Sequence, residues 1–238
     1  MGKTQLDLVA NAVIKQNIPH VFVGVIPFDR VITSDEDISG KEFIPYGSTL
    51  LTNLSIEKGY TGLHFDLSKF NYREYVKNRP DMLNSDGKIF PSEIMVDILD
   101  VDSDIELFTR PSEDLKHYSG CVMTQSEIKK MLESMMGAIG GGSYYLNPKT
   151  EIVIAPPKKI DAEWRWFIVD GKIVSGAMYR AHGQLRSGME TDKHVIEEAS
   201  LKAAMWLPDP CCVMDTALVD GRLFVTEFNC INASGFYG

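Results

Sequence analysis

The chain has 238 residues, 44% hydrophobic and 24% charged, enough for one sizeable domain or two small ones with real cores. A net charge of −9 with a pI near 5.1 argues against bulk nucleic-acid binding through a basic surface, while leaving room for a local pocket that holds a polyphosphate. The cysteines (Cys121, Cys211, Cys212 and Cys230) form no C-x-x-C pair and no apolar stretch is long enough to span a bilayer, so the expectation is a cytoplasmic protein with no membrane partner, in which adjacent Cys211 and Cys212 are buried thiols.

Taken in chain order, Thr4 to Lys15 places Leu6, Val9 and Val13 at helical spacing, with Thr4 as the cap. His20 to Ile26 is β-branched and aromatic and predicts a strand. From Phe28 to Asp100, short apolar runs alternate with turn chemistry such as Pro45-Tyr-Gly-Ser48 and Ser85-Asp-Gly87, which reads as a small irregular α/β region without a long helix. Ile105 to Thr109 predicts a short strand. Thr124-Gln-Ser-Glu127 fits a capping box opening a helix with the stripe Ile128, Met131, Leu132, Met135 and Met136, and Gly140–Gly142 then ends it in a loop. Glu151 to Ala155 is a strand stopped by Pro156-Pro157. Two hairpins with Asp-Gly turns come next, Trp164–Val169 with Lys172–Tyr179 and Cys212–Val219 with Arg222–Asn229. Between them a helix over about 192–206 buries Val195, Ile196, Ala199 and Ala203. This order predicts an α+β fold rather than a doubly wound parallel sheet.

The final hairpin carries the clearest chemistry. Glu227 and Asn229 are two apart on a strand and so leave one face, and Asp215 lies twelve residues before Glu227. Carboxylate and amide oxygens suit Mg²⁺, which completes its shell with water and substrate phosphates. The register supplies a test. A two-residue turn at Asp220-Gly221 sets Asp215 opposite Thr226, on the face away from Glu227. A three-residue loop, Val219-Asp-Gly221 with Gly221 left-handed, brings all three onto one face. A metal site therefore predicts an odd-length turn, and a two-residue turn counts heavily against it.

Two further clusters carry charge. Glu163 and Arg165 share a face at the start of the middle hairpin, either as part of a cross-strand ion pair or with Arg165 placed where an anionic phosphate or carboxylate arrives. Arg110 and Lys116 bracket a turn that could close over phosphates, though surface charge is the default reading of such a pair.

Read together, these segments resemble the ATP-grasp superfamily, which includes D-alanine–D-alanine ligase, glutathione synthetase and the ribosomal-protein glutamate ligase. Asp215, Glu227 and Asn229 match its metal-binding pattern in type, order and spacing, and Asn232-Ala-Ser-Gly-Phe-Tyr237 looks like the small-residue turn after it. Glu163-x-Arg165 is similar to its acid-x-Arg strand. Arg110 where a lysine is usual, Pro156 where a glutamine or glutamate is common, and few glycines in the lid look like a compact, divergent clade found in phages and bacteria.

The resemblance implies two α+β lobes sandwiching ATP over residues 104–238, with a hinge near 155–160 and a small α/β domain over 1–103. It implies ATP and Mg²⁺ as cofactors, Asp215, Glu227 and Asn229 as metal ligands, and Arg165 at the γ-phosphate or acyl phosphate with Glu163 orienting it. Arg110 and Lys116 would contact phosphates, the backbone of Ile154 and Ala155 would line the adenine, and Lys158, Lys159 and Lys172 are further phosphate candidates. Tyr179, Arg180 and Arg186 fall on the acceptor side. The expected activity is a carboxylate–amine ligase working on small-molecule or peptide substrates through an acyl phosphate. A kinase on the same scaffold and an inactive nucleotide-binding regulator are the rival readings.

Overall fold

The computed structural model describes residues 5–26, 28–114, 117–137, 146–186 and 190–236. Thr4, Lys116, Gly140–Gly142 and Tyr237, each singled out above, lie outside these. The contacts part the chain into two compact units, Met1–Phe65 with Cys230–Tyr237, and Asp66–Asn229. The units therefore divide at 65/66 rather than at the 103 read from sequence. The reason is sheet pairing: Lys88–Pro91 is hydrogen-bonded to the strand Glu151–Ala155, which binds residues 66–103 to the C-terminal half of the chain.

The first unit holds α1 (Gln5–Lys15), the antiparallel pair β1 (Val23–Ile26) and β2 (Val31–Ser34), and α2 (Thr49–Glu57). The strand predicted over His20–Ile26 is only four residues long because β2 offers partners to Val23–Ile26 alone. Ser48 caps α2, its hydroxyl accepting from the Leu51 N–H at 3.1 Å, and the helix buries Leu51 and Leu54. After Cys230 the chain makes a short 3₁₀ turn, Ile231–Ala233, where buried Asn232 donates to the carbonyls of Pro45 and Gly62 and accepts from the His64 N–H. One side chain thus satisfies three backbone groups of this unit.

The second unit contains α3 (Tyr72–Asn78), β3 (Lys88–Pro91), α4 (Ser92–Ile98), β4 (Glu106–Pro111), β5 (Cys121–Thr124), α5 (Gln125–Met136) and β6 (Glu151–Ala155), then β7 (Ala162–Val169), β8 (Lys172–Ala181), β9 (Gln184–Leu185), α6 (Lys193–Ala203), β10 (Cys211–Val219) and β11 (Arg222–Cys230). They build two sheets, ordered β3-β6-β4-β5 and β11-β10-β7-β8-β9, with residues 156–161 running between them. The pairings are antiparallel, so the α+β expectation holds.

The Thr124–Glu127 capping box forms as predicted, and α5 buries Ile128 and Leu132 against Met95, Leu99, Leu146 and Ile152, with Met131, Met135 and Met136 packed around that cluster. Helix α6 is shorter than expected. Asp192 caps it, Ala199 and Ala203 are buried, Val195 is half-buried and Ile196 faces outward, so its apolar stripe is narrower than the periodicity suggests. Among the described residues no helix is long and apolar enough to cross a membrane.

Candidate active site

The β10–β11 turn consists of Asp220 and Gly221, both with left-handed backbone (φ 50° and 73°). This is the two-residue hairpin geometry in which two positive φ angles match the strand twist. The odd-length turn expected of a metal site is therefore absent. An unbroken ladder from this turn would put Asp215 opposite Thr226, facing away from Glu227.

The side chains are nevertheless together: Asn229 Nδ2 donates to Asp215 Oδ2 at 3.1 Å and to Glu227 Oε1 at 3.2 Å. One extra residue must therefore sit between the turn and the site. The β10–β7 ladder is unbroken from Cys211 to Leu218, and Val225 and Phe228, an odd number of residues apart, both give main-chain groups to partners outside β10, which places that residue in β11. The parity the site needs comes from a bulge in the edge strand and not from the loop.

Asp215 is 1% exposed and lies directly across from Arg165, which donates through Nε to Oδ1 at 2.8 Å and through Nη2 to Oδ2 at 2.6 Å. This bidentate fork is the strong form of the pair. Burial raises the Asp215 carboxyl, Arg165 lowers it and Glu227 raises it again, and the balance stands at about 7. Desolvation is the larger effect, and the Arg165 fork only partly offsets it.

Glu227 meets Arg110, on β4 of the other sheet, with Nη1 to Oε2 at 2.8 Å. Burial works against the charge on Arg110, and Glu227, Tyr75 and Asp114 more than restore it, so its pKa stands above the ordinary arginine value. Arg110 also lies over the Tyr72 ring, 5.7 Å from its centroid. Two carboxylates, one amide and two guanidiniums from β4, β7, β10 and β11 make a single contiguous cluster.

The donor set fits Mg²⁺. Two carboxylate oxygens face one amide nitrogen, and a half-turn of the Asn229 amide replaces that nitrogen with oxygen, giving oxygen donors of the kind the ion prefers. A divalent cation would also favour the ionised form of buried Asp215.

Glu163 accepts from the Tyr179 hydroxyl at 3.3 Å and pairs with Arg180 Nη1 at 3.1 Å, while Tyr179 faces Arg165 with a guanidinium-to-ring distance of 6.0 Å. Burial raises the Tyr179 hydroxyl well above its ordinary value, and the nearby Asp215 and Glu163 charges add to that, so it keeps its proton and acts as a hydrogen-bond donor. These residues extend the cluster along β7 and β8. Arg186 is exposed just past β9, its N–H donating to the Tyr179 carbonyl at 2.9 Å.

Other predicted residues lie apart. Ile154 and Ala155 are on β6, paired with Thr109 and Phe108. Lys158 Nζ bonds Asp86 at 2.8 Å and the Pro156 carbonyl at 3.0 Å, and Lys159 is exposed. Lys172 pairs with Val169 at the turn end of the β7–β8 hairpin, five residues or about 17 Å along the strand from Ala177, the partner of Arg165.

Reading the sequence missed Arg79, although Arg79-Pro-Asp81 sets opposite charges two apart beside a helix end. Arg79 is 1% exposed and forks onto Asp81 with both contacts at 2.9 Å. It also missed Tyr75, whose hydroxyl donates to the Phe228 carbonyl at 3.2 Å.

A family model of the ATP-grasp domain (clade family 3) matches residues 63–238. The chain belongs to the ATP-grasp family. The ATP-grasp match begins at residue 63, within a few residues of the 65/66 division between the two compact units. Among solved structures, D-alanyl-alanine synthetase A from Vibrio cholerae O1 biovar eltor str. N16961 is similar with a TM-score of 0.50 and 12% identity, over 91% of this chain and 74% of that one. D-alanine–D-alanine ligase from Bacillus anthracis complexed with ATP gives 0.48 and 17%, over 76% and 61%. D-cycloserine synthetase DcsG gives 0.45 and 14%, over 70% and 63%. The ATP-grasp chain thus spans less than two thirds of the length of the last two, and at such identities the likeness is one of fold. Comparison with curated proteins gives no match.

Proposed function

We propose that this ATP-grasp protein is an ATP- and Mg²⁺-dependent carboxylate–amine ligase of peptide type. The observation that carries the reading is the convergence of Asp215, Glu227 and Asn229 on one amide nitrogen, flanked by Arg165 and Arg110. Asp215, Glu227 and Asn229 would hold Mg²⁺, which when bound neutralises phosphate charge and orients the transferring group.

In the proposed reaction a substrate carboxylate oxygen attacks the γ-phosphorus of ATP, the bond to the β–γ bridging oxygen breaks, and ADP leaves. The amine nitrogen of a second substrate then attacks the acyl carbon, phosphate departs, and the amine loses a proton as the amide forms. Such phosphoryl transfer depends on positioning and charge neutralisation and needs no protein nucleophile. Arg110 and Arg165 supply buried, permanently charged guanidiniums near the phosphate oxygens, Arg165 while its Nε and Nη2 hold Asp215. Residues 156–161, between the two sheets, are the place for a hinge, and β6 before it would offer the backbone of Ile154 and Ala155 to an adenine. Tyr179, Arg180 and Glu163 form the polar wall proposed for the carboxylate or amine substrate.

The test is ADP release with amino acids, peptides and nucleotides as substrates, resolved by mass spectrometry. Mg²⁺-dependent ADP formation together with an amide product supports the ligase. A phosphorylated product without an amide, or ATP binding without ADP across the panel, would replace it by the kinase or the regulator.

A further inference from the structure

The bulge that turns Glu227 and Asn229 toward Asp215 is not explained by the hairpin. The turn is a regular two-residue one and β10 is unbroken. On its outer edge, however, β11 meets a short extended segment after α3. The Val225 N–H donates to the Asp81 carbonyl at 2.9 Å, the Leu83 N–H donates to the Val225 carbonyl at 2.8 Å, and Met82 bridges Val225 in parallel. Val225 is two residues before Glu227, in the stretch where the extra residue must lie.

The next contact point is Phe228, between the two ligand residues and pointing to the opposite face. It is fully buried in a cage of three side chains. Arg79 lies over its ring at 5.4 Å, Tyr75 meets it edge-on at 5.2 Å, and Trp206 stands nearly perpendicular at 6.3 Å. Tyr75 also holds the Phe228 carbonyl. Arg79 joins the two contact points, because its fork holds Asp81, whose carbonyl binds Val225, while its face holds the Phe228 ring. Nη1 also donates to the Trp206 carbonyl at 3.0 Å and Nη2 to the Met205 sulfur at 3.6 Å, which fixes its plane.

We infer that Arg79 is a positioning residue for the metal site, setting the strand parity that turns Glu227 and Asn229 toward Asp215. This inference rests on the proposed metal reading. A lysine cannot replace it, since an ammonium neither forks onto a carboxylate nor lies flat on a ring. Lys202 provides the internal comparison: it binds Asp81 Oδ2 at 3.2 Å from α6, and its other described partner is Glu198 on the same helix.

The test is Mn²⁺ titration of the full chain monitored by electron paramagnetic resonance, with thermal unfolding of the same samples. Arg79→Lys is expected to weaken Mn²⁺ binding about ten-fold or more, the scale on which groups supporting a metal ligand act. Lys202→Met is expected to lower the unfolding temperature while leaving Mn²⁺ affinity within about two-fold of wild type, since it leaves Phe228 and β11 in place. If Arg79→Lys does not fold, Phe228→Leu, which keeps the core filled but removes the ring, takes its place with the same expectation. Wild-type Mn²⁺ affinity in Arg79→Lys, or equal losses in the Arg79 and Lys202 variants, overturns the positioning role. Failure of the wild-type protein to bind Mn²⁺ overturns the metal reading itself, and with it this one.

Discussion

Arg110 on β4 and Glu227 on β11 form an ion pair, Nη1 to Oε2 at 2.8 Å, that joins the four-stranded sheet to the five-stranded one. Glu227 keeps 30% of its side chain exposed, so this pair can open toward an arriving ligand, whereas Asp215 is fixed by Arg165. If Arg110 transfers its contact to phosphate oxygens, Arg110→Gln should raise the Kd for Mg²⁺-ATP about ten-fold or more, the value of one hydrogen bond to a charged group. Calorimetric titration checks this, and unchanged affinity would confine Arg110 to a structural role.

Arg165 and Asp215 are both buried, which separates folding from chemistry. Asp215→Asn leaves Arg165 without its counter-charge and should cost about 3–5 kcal/mol. The double variant Arg165→Met with Asp215→Leu should recover most of that stability, because a buried ion pair can be exchanged for apolar groups of like volume at little cost. It should not recover Mg²⁺-dependent ATP turnover. Urea denaturation and ADP release on the two variants check both halves, and turnover in the double variant would remove these residues from the machinery.

Gly176 lets Trp166 pack. A Cβ at that position would stand 2.2 Å from the Trp166 ring and 3.1 Å from the Arg165 carbonyl. Trp166 is buried and donates to Thr216 at 2.8 Å, so it has no room to retreat. Gly176→Ala should destabilise by about 1–3 kcal/mol, as overpacked cores do, and should shift the near-ultraviolet dichroism of Trp166. A neutral effect in thermal unfolding would contradict this packing.

Asp81 carries a pH dependence. Burial alone would raise its carboxyl, but the Arg79 fork and Lys202 outweigh it and hold the group below its ordinary 3.8. A depressed folded-state pKa stabilises the fold above the unfolded value, and that stability is lost as pH falls through the carboxylate range toward the folded value. Asp81→Asn should therefore lower stability at neutral pH and flatten the loss between pH 5 and 3, about where an unfolded-chain aspartate titrates. Urea denaturation across that range decides it, and parallel curves for wild type and variant would refute it.

The contrast between hairpins and helices shows what patterning conveys. Asp170-Gly171 and Asp220-Gly221 turn as two-residue loops with positive φ at both positions, and the Thr124–Glu127 box caps α5, because these signals act within a few residues. Helices α2, α3 and α4 are not legible in the sequence, since elements of nine, seven and seven residues have little periodicity and are held by burial of Leu54, Tyr72, Tyr75 and Met95 against distant parts of the chain.

The sequence by itself determined the types and spacing of Asp215, Glu227 and Asn229, the strands that carry them, and the cations available to them. Only the tertiary structure decided that they meet. Local turn chemistry selected a two-residue loop, whose parity would have sent Glu227 to the wrong face. Contacts from Asp81 to Leu83, about 140 residues earlier in the chain, meet β11 where it gains the residue that restores the face. Side-chain parity in a strand changes with a single inserted residue, and where an edge strand bulges depends on what pairs with that edge, a relation that no window of neighbouring residues contains.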